Sequence, residues 1–160
     1  MPPTWKRSSA TASPATRRPG SDRLGLILDT SILIASERRG EAIEDVLRQV
    51  RTTRGEIDIA LSAISVVELT HGIYRAKTDA DRERRRVFAE GVLHDLIVHP
   101  VTLEIAQLAG RIEGEQAAQG NIIAFEDLVI GATALYLGFE VATLNVQHFG
   151  RIPGLSVVRL

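Results

Sequence analysis

The sequence predicts an α/β protein, a three-layer α/β/α sandwich built on a mainly parallel sheet. Short apolar runs typical of strands alternate along the chain with longer segments of helical periodicity, which is the pattern of a parallel sheet covered by helices. The first run, residues 24–28, is apolar without interruption, as expected of a strand buried on both faces. The chain has 160 residues and is 44% hydrophobic, enough for one domain with a substantial core.

The first half of the domain is expected to hold two strands and four helices. Residues 24–28 form the first strand, and residues 57–61, an apolar segment interrupted only by Asp58, form the second. Apolar residues recur at helical spacing between and after these strands, which predicts helices at about 30–36, 40–51, 65–76 and 80–93. The last of these helices carries a run of charged residues from Arg82 to Arg86, which indicates a solvated face.

The second half is expected to continue the alternation. The predicted elements are strands at 96–98, 141–143 and 155–158 and helices at 102–119 and 124–137. The first of these helices is amphipathic and the second is rich in small apolar residues. They stop at Gly120 and Gly138 respectively, as helices commonly do at glycine. The last strand follows a turn predicted at Pro153-Gly154.

Residues 1–22 are predicted to be a disordered N-terminal tail that precedes a single domain at 23–160. The tail contains four of the six prolines and four basic residues against one acid, and it has no aliphatic residue larger than alanine except Met1. Such a segment buries too little apolar surface to offset its ordering entropy. No apolar run approaches the ~20 residues of a membrane span, so we expect a cytoplasmic protein without membrane contact.

Composition excludes several classes of site. With no cysteine, the chain has no disulfide, no thiolate zinc site and no cysteine nucleophile. One Trp, two Tyr and four Phe are too few for a single-strand binder based on stacking. The net charge of −1 gives no overall basic footprint for nucleic acid. A protein of this charge that acts on nucleic acid needs a local reason, such as an acidic site neutralised by a metal ion.

Three acidic residues lie at or near strand ends and helix starts. Asp29 ends the first strand, Glu68 follows the second strand, and Asp127 lies at the start of the small-residue helix. Each has a structural interpretation: Asp29 as an N-cap, Ser65 and Glu68 as a capping box, and Asp127 as a charge that complements a helix dipole.

Taken together, the three acids favour a metal site. The carboxyl ends of parallel strands share one edge of the sheet, where ligands bind. Carboxylates brought together there repel one another by a few kcal/mol per pair at ~4 Å, and a divalent cation removes that cost. Oxygen-only ligands select Mg²⁺ or Mn²⁺, which can clamp a phosphate and activate water.

Other chemistries lack their motifs. Ser31 stands where a haloacid-dehalogenase-type phosphatase needs a second Asp, and no glycine-rich dinucleotide or P-loop motif is present. Ser31 also lacks the G-x-S-x-G context of a nucleophile. The four histidines have no metal-ligand spacing on one helix, so we interpret them as solvated or partly packed.

Four segments in series resemble the motifs of PIN-domain ribonucleases. These are Leu28–Ile34, Ser65–Gly72, Glu126–Ala134 and Ala142–Phe149. The closing Ile152-Pro153-Gly154-Leu155 strengthens the similarity to VapC-like toxins of type II toxin–antitoxin systems, which covers roughly residues 24–160. The resemblance implies a three-layer α/β/α domain, a Mg²⁺-dependent endoribonuclease in which Mn²⁺ can substitute, and a cognate protein antitoxin. Members of the family commonly form dimers.

The resemblance also assigns the site residue by residue. Asp29, Glu68 and Asp127 match the acids of the first three motifs, and the family holds its metal chiefly through the first and third. Asn145 falls where relatives have Asp or Asn and supplies a neutral ligand or a hydrogen bond. Thr30 and Thr143 match hydroxyls that line the substrate pocket.

Further residues near these motifs have open or structural interpretations. Glu126, beside Asp127, is turned ~100° away by helical geometry and is expected on the surface. Several basic residues are candidate RNA contacts or a solvated face: Arg75, Lys77, Arg82, Arg84, Arg85 and Arg86.

The resulting hypothesis is a toxin endoribonuclease that hydrolyses RNA phosphodiesters with metal-activated water. Its expected partners are an RNA substrate, a cognate antitoxin, and a second copy in a homodimer or in a toxin–antitoxin hetero-oligomer. Operator DNA is expected to be contacted only through the antitoxin. Two alternatives stay open: a non-catalytic PIN-fold module that acts through a partner protein and operator DNA, and a nuclease that acts on DNA.

Overall fold

The computed structural model describes residues 25–160, and the tail predicted at 1–22 lies outside these described residues. Its centre is a five-stranded sheet in which every pairing of neighbouring strands is parallel. The strands are β1 (Gly25–Leu28), β2 (Asp58–Ser62), β3 (Ile97–His99), β4 (Glu140–Thr143) and β5 (Val157–Arg159). Their order across the sheet is β3-β2-β1-β4-β5. The predicted parallel α/β fold is confirmed.

Seven helices cover the sheet within the described part of the chain. They are α1 (Thr30–Arg38), α2 (Ile43–Arg54), α3 (Ala63–Tyr74), α4 (Asp79–Asp95), α5 (Leu103–Ala118), α6 (Phe125–Leu137) and α7 (Val146–Phe149). None of the helices in residues 25–160 is both long enough and apolar enough to cross a bilayer.

Two cores pack on opposite faces of β1 because successive side chains of a strand point to opposite sides. Leu26 and Leu28 pack in a core with apolar residues of α1, α2 and α4, whereas Ile27 packs in a core with residues of α5 and α6. All four residues of β1 are buried, as the uninterrupted apolar run predicts. The three-layer α/β/α arrangement follows from this double coverage.

Several element boundaries differ from the prediction for local reasons. Helix α2 begins at Ile43 rather than near residue 40, because Gly40 adopts a left-handed φ of 73° that a helix does not contain. It then continues to Arg54, where Gly55 ends it with a φ of 77°. Helix α3 begins at Ala63 instead of 65, and the four-residue helix α7 is not predicted at all.

The strand order places a topological switch at β1. The chain passes from β1 to β2 and β3 on one side of the sheet and returns to β4 and β5 on the other. In open α/β sheets, ligands bind outside the carboxyl ends of the strands where the order reverses. Asp29 directly follows β1, and Thr143 is the last residue of the adjacent β4.

Candidate active site

Asp29 is a buried carboxylate held by two hydroxyl groups. It is 4% exposed, and its Oδ2 accepts hydrogen bonds from Ser31 Oγ at 2.6 Å and from Thr143 Oγ1 at 2.7 Å. Oδ1 accepts no hydrogen bond from residues 25–160 and is not sealed from solvent. Asp29 occupies the N-cap position of α1, yet its side chain makes no capping hydrogen bond. The interpretation of this carboxylate as a helix cap is therefore wrong.

Glu68 lies on α3 and is joined to the same region by Thr30, whose hydroxyl donates a hydrogen bond to Glu68 Oε2. Burial raises the pKa of this half-buried carboxyl, and the nearby negative charges of Asp29, Glu126 and Asp127 raise it further, against the lowering effect of the Thr30 hydrogen bond. Because Ser62 is the N-cap of α3, Ser65 cannot cap it. The predicted capping box of Ser65 and Glu68 is wrong.

Asp127 is the third residue of α6, in the first turn. Burial raises its pKa, and the charge of Asp29 raises it further, although His148 acts in the opposite direction. The position in the first turn matches the helix-dipole interpretation. The net rise, however, indicates that burial and the neighbouring charge outweigh the stabilisation that His148 gives to the ionised form.

The remaining predicted residues surround these acids at different depths. Thr30 and Thr143 are buried, and their hydroxyls bind Glu68 and Asp29 respectively. Asn145 is exposed and is tied to the cluster through its backbone, whose N–H donates to Thr143 Oγ1 at 2.9 Å. Glu126 is exposed, as predicted, although its charge acts on both Glu68 and Asp127.

Two residues that sequence reasoning did not assign to the site lie in it. Ser31 donates to Asp29 and accepts a hydrogen bond from the Leu144 N–H at 3.2 Å, so it ties the start of α1 to the loop after β4. His148 Nδ1 lies 3.3 Å from Asp127 Oδ2. The available signals were the position of Ser31 two residues after Asp29 and that of His148 three residues after Asn145.

The arginines of α4 bind groups within the protein. Arg82, Arg84 and Arg86 form ion pairs with acidic neighbours, and Arg84 also reaches the buried Glu37 of α1. Arg85 donates to the backbone carbonyl of Gly72 at 2.6 Å. These contacts favour a structural role for the four arginines over the predicted alternative of RNA contact.

The donor set has the chemistry of a site for a hard cation. Asp29, Glu68 and Asp127 supply only carboxylate oxygens, and the pKa values of the last two are raised by the charge of the first. Within residues 25–160, no group of three or more acidic or histidine side chains converges closely enough to hold one ion by itself. A cation would thus be held by fewer direct ligands and would keep water in its remaining positions, as Mg²⁺ usually does.

Comparisons with known proteins identify the family of this chain. Residues 26–155 match the family model for the PIN domain. Over 135 residues the chain is 34% identical to Ribonuclease VapC1 of Rickettsia felis. The alignment covers 84% of this chain and 96% of that protein.

Two solved structures have a similar fold. VapBC2 of Rickettsia felis, bound to a DNA fragment from its promoter, gives a TM-score of 0.73 at 22% identity, covering 86% of this chain and 99% of that one. DNA-bound VapBC of Salmonella typhimurium gives a TM-score of 0.72 at 26% identity, covering 85% and 98%. The resemblance drawn from the four motifs is confirmed. The chain therefore belongs to the PIN-domain family, and its relatives include VapC ribonucleases.

Proposed function

We propose that this protein is an endoribonuclease that depends on Mg²⁺ or Mn²⁺ and acts as the toxin of a type II toxin–antitoxin pair. The observation that carries the proposal is the oriented, buried Asp29, with one oxygen held by two hydroxyls and the other left without a hydrogen bond within residues 25–160. Its charge raises the pKa values of Glu68 and Asp127. The similarity to proteins named ribonuclease VapC supports the same activity.

Asp29 and Asp127 are the residues that would hold the cation directly, and Glu68 would complete the cluster either directly or through water. When bound, a divalent cation supplies Lewis acidity that activates water and stabilises charge on the phosphoryl oxygens. Ser31 and Thr143 keep the Asp29 carboxylate in one orientation, so little reorganisation is needed when a ligand arrives. Asn145, at the exposed edge of the cluster, would orient substrate or water through its amide.

The charges of the cluster couple metal binding to stability. The charge of Asp29 disfavours the ionised forms of Glu68 and Asp127, so the metal-free protein carries an electrostatic cost at neutral pH. A cation that binds the folded state alone relieves this cost and stabilises the protein in proportion to the logarithm of its concentration. If the three acids were only helix caps at separate places, a divalent cation would not stabilise the protein in this way.

The expected partners follow from the relatives. The similar solved structures are of VapBC complexes on DNA, and a toxin–antitoxin complex is named for Klebsiella pneumoniae. We propose that this chain likewise binds a cognate antitoxin, forms a homodimer within the hetero-oligomer, and meets operator DNA only through the antitoxin. RNA is the proposed substrate.

The experiment combines melting curves with cleavage of a mixed RNA pool. The proposal requires that Mg²⁺ or Mn²⁺ raises the Tm of the purified protein and that RNA is cut only when the cation is present. The same assay on single-stranded DNA separates the RNA nuclease from a DNA nuclease. A Tm that does not respond to either cation, together with intact RNA, would instead favour the non-catalytic binding module.

A further inference from the structure

His148, on α7, contacts Asp127 of the carboxylate cluster. Its imidazole Nδ1 lies 3.3 Å from Asp127 Oδ2, while its side chain is 60% exposed and that of Asp127 is 17% exposed. His148 thus approaches a mostly buried acid from the solvent side. An imidazole that carries its hydrogen on Nδ1 can donate to that oxygen in either its neutral or its charged form.

Close packing between α6 and the segment after β4 brings His148 to this place. Phe149 is fully buried and anchors α7, and Ile152 is 2% exposed. A Cβ added at Gly131 would lie 2.4 Å from Ile152 Cδ1, so the glycine lets this segment approach α6 closely. Gly131 is four residues after Asp127 and therefore lies on the same face of α6.

Each of the two aspartates that would hold the cation has a protein partner at one of its carboxylate oxygens. In Asp29, Oδ2 is held by Ser31 and Thr143, and in Asp127, Oδ2 is approached by His148. Oδ1 of each residue receives no hydrogen bond from the part of the chain described by the structure. One oxygen of Asp29 is thus held by hydrogen bonds, one oxygen of Asp127 lies within ion-pair distance of an imidazole, and the other oxygen of each remains available to a ligand.

We propose that His148 is a positioning residue for the metal site: it holds Asp127 through Oδ2 and leaves Oδ1 for the cation. The inference rests on the proposed function, because it takes Asp29 and Asp127 as the direct ligands. His148 is then neither a ligand nor a catalytic residue but sets the affinity of the site through Asp127. Groups that hydrogen-bond to a ligating carboxylate typically contribute 10–100-fold to metal affinity.

The test measures Mn²⁺ affinity of the full-length protein by isothermal titration, with the Mn²⁺-induced rise in Tm as a second readout. His148→Ala removes the contact, and we expect about a tenfold weaker Kd, the lower end of that range because His148 is exposed. His148→Asn places an amide N–H near the position of Nδ1 and is expected to restore most of the affinity.

His94 supplies a matched control. It also pairs with an aspartate through Nδ1, at 2.7 Å from Asp95 Oδ1, but it lies at the end of α4 that leads into the start of β3, away from the carboxyl ends of the strands. His94→Ala should leave Mn²⁺ binding unchanged. Melting curves in EDTA check that all three variants fold, and the comparison of His148→Asn with His148→Ala holds even if both are less stable than wild type.

Each remaining outcome contradicts the proposal. If His148→Ala binds Mn²⁺ with wild-type affinity, His148 has no role in the metal site. If it binds Mn²⁺ more tightly, His148 competes with the cation for Asp127. Equally weak binding in His148→Asn would indicate that the imidazole itself is a ligand. If wild type binds Mn²⁺, these results overturn only the role of His148, whereas a wild-type protein that binds no Mn²⁺ overturns the proposed function and this inference with it.

Discussion

The hydroxyl of Thr143 donates a 2.7 Å hydrogen bond to Oδ2 of Asp29, across 114 residues of sequence. The contact exists because β1 and β4 are neighbours in the sheet and Leu28 pairs with Ala142. Asp29 and Thr143, which follow these two residues, therefore meet at the carboxyl ends of the strands. The Asp29 N–H confirms this register by donating to the carbonyl of Ala142 at 2.9 Å. The orientation of the central acid is therefore a consequence of sheet topology.

Thr143→Val should destabilise the metal-free protein by about 1–3 kcal/mol, because it removes a donor from a buried carboxylate while keeping the side-chain shape. It should also weaken Mn²⁺ binding, since Asp29 loses one of the two hydroxyls that orient it. Urea unfolding in EDTA measures the free energy of unfolding. Thr70→Val, at an exposed position of α3, is the control and should change it by less than about 0.5 kcal/mol. Equal stability of the two variants would contradict the importance of the Thr143 hydrogen bond.

Asn145→Asp should strengthen Mg²⁺ binding, because it offers an anionic oxygen to a hard cation. The cost is added repulsion in the metal-free protein, which should lower its Tm slightly in EDTA. Titration of wild type and variant with Mg²⁺ compares the two Kd values. Weaker Mg²⁺ affinity in a folded variant would mean that this side chain does not reach the ion.

The raised pKa of Glu68 predicts a pH dependence of stability. A carboxyl whose pKa is higher in the folded than in the unfolded protein costs stability when ionised, so stability is regained as the pH falls from neutral through the folded pKa. Once the pH is below the ordinary glutamate pKa of about 4.5, the stability of the protein gains nothing more from protonation of Glu68. In EDTA, Glu68→Gln should be more stable than wild type at pH 7, and the difference should shrink toward pH 4.5. A difference that stays constant with pH would contradict the unfavourable environment of Glu68.

Gly25→Ala should destabilise the fold by about 1–3 kcal/mol, since it overpacks a filled site. A Cβ at Gly25 would lie 2.2 Å from the Phe139 ring. The control is Gly110→Ala on α5, where nothing lies within 4 Å of the added carbon and alanine should stabilise the helix by up to about 1 kcal/mol. Urea unfolding of both variants measures the contrast, and stabilisation by Gly25→Ala would show that the Phe139 ring moves away freely.

Sequence reasoning succeeded where a pattern has a single structural solution. The uninterrupted apolar run at Leu26–Leu28 requires burial on both faces, which leads to a parallel sheet and places Asp29 at its ligand-binding edge. The three acids fall close enough in space for Asp29 to affect the other two, as the motif spacing predicts.

The remaining features depend on packing that no local pattern contains. Helix α7 has only four residues, too few for a periodic signal, and the chain just after it packs against α6 where Ile152 meets Gly131. The Ser65–Glu68 spacing matches a capping box, but the chain enters α3 three residues earlier, so tertiary structure overrides the motif. His148 lies three residues after Asn145, but its contact with Asp127 could not be predicted, because Asp127 is 21 residues away on another helix.

The central claim is that Asp29 and Asp127 act as joint metal ligands. Asp29→Asn and Asp127→Asn should each reduce RNA cleavage by at least about a hundredfold, the loss of several kcal/mol of transition-state stabilisation by the metal. Metal-free stability should stay equal or rise, because each change removes a charge from a repulsive cluster. The double variant should add little to either single loss, since either change disables the same ion.

The most direct measurement is cleavage of a mixed RNA pool by wild type and both single variants, with and without Mg²⁺, alongside melting curves. We predict cleavage by wild type only with Mg²⁺, a Mg²⁺-dependent rise in Tm for wild type only, and variants that fold but neither cut RNA nor respond to the ion. Full activity of either variant would contradict the assignment of that aspartate, and cleavage by wild type in EDTA would contradict the metal-dependent mechanism.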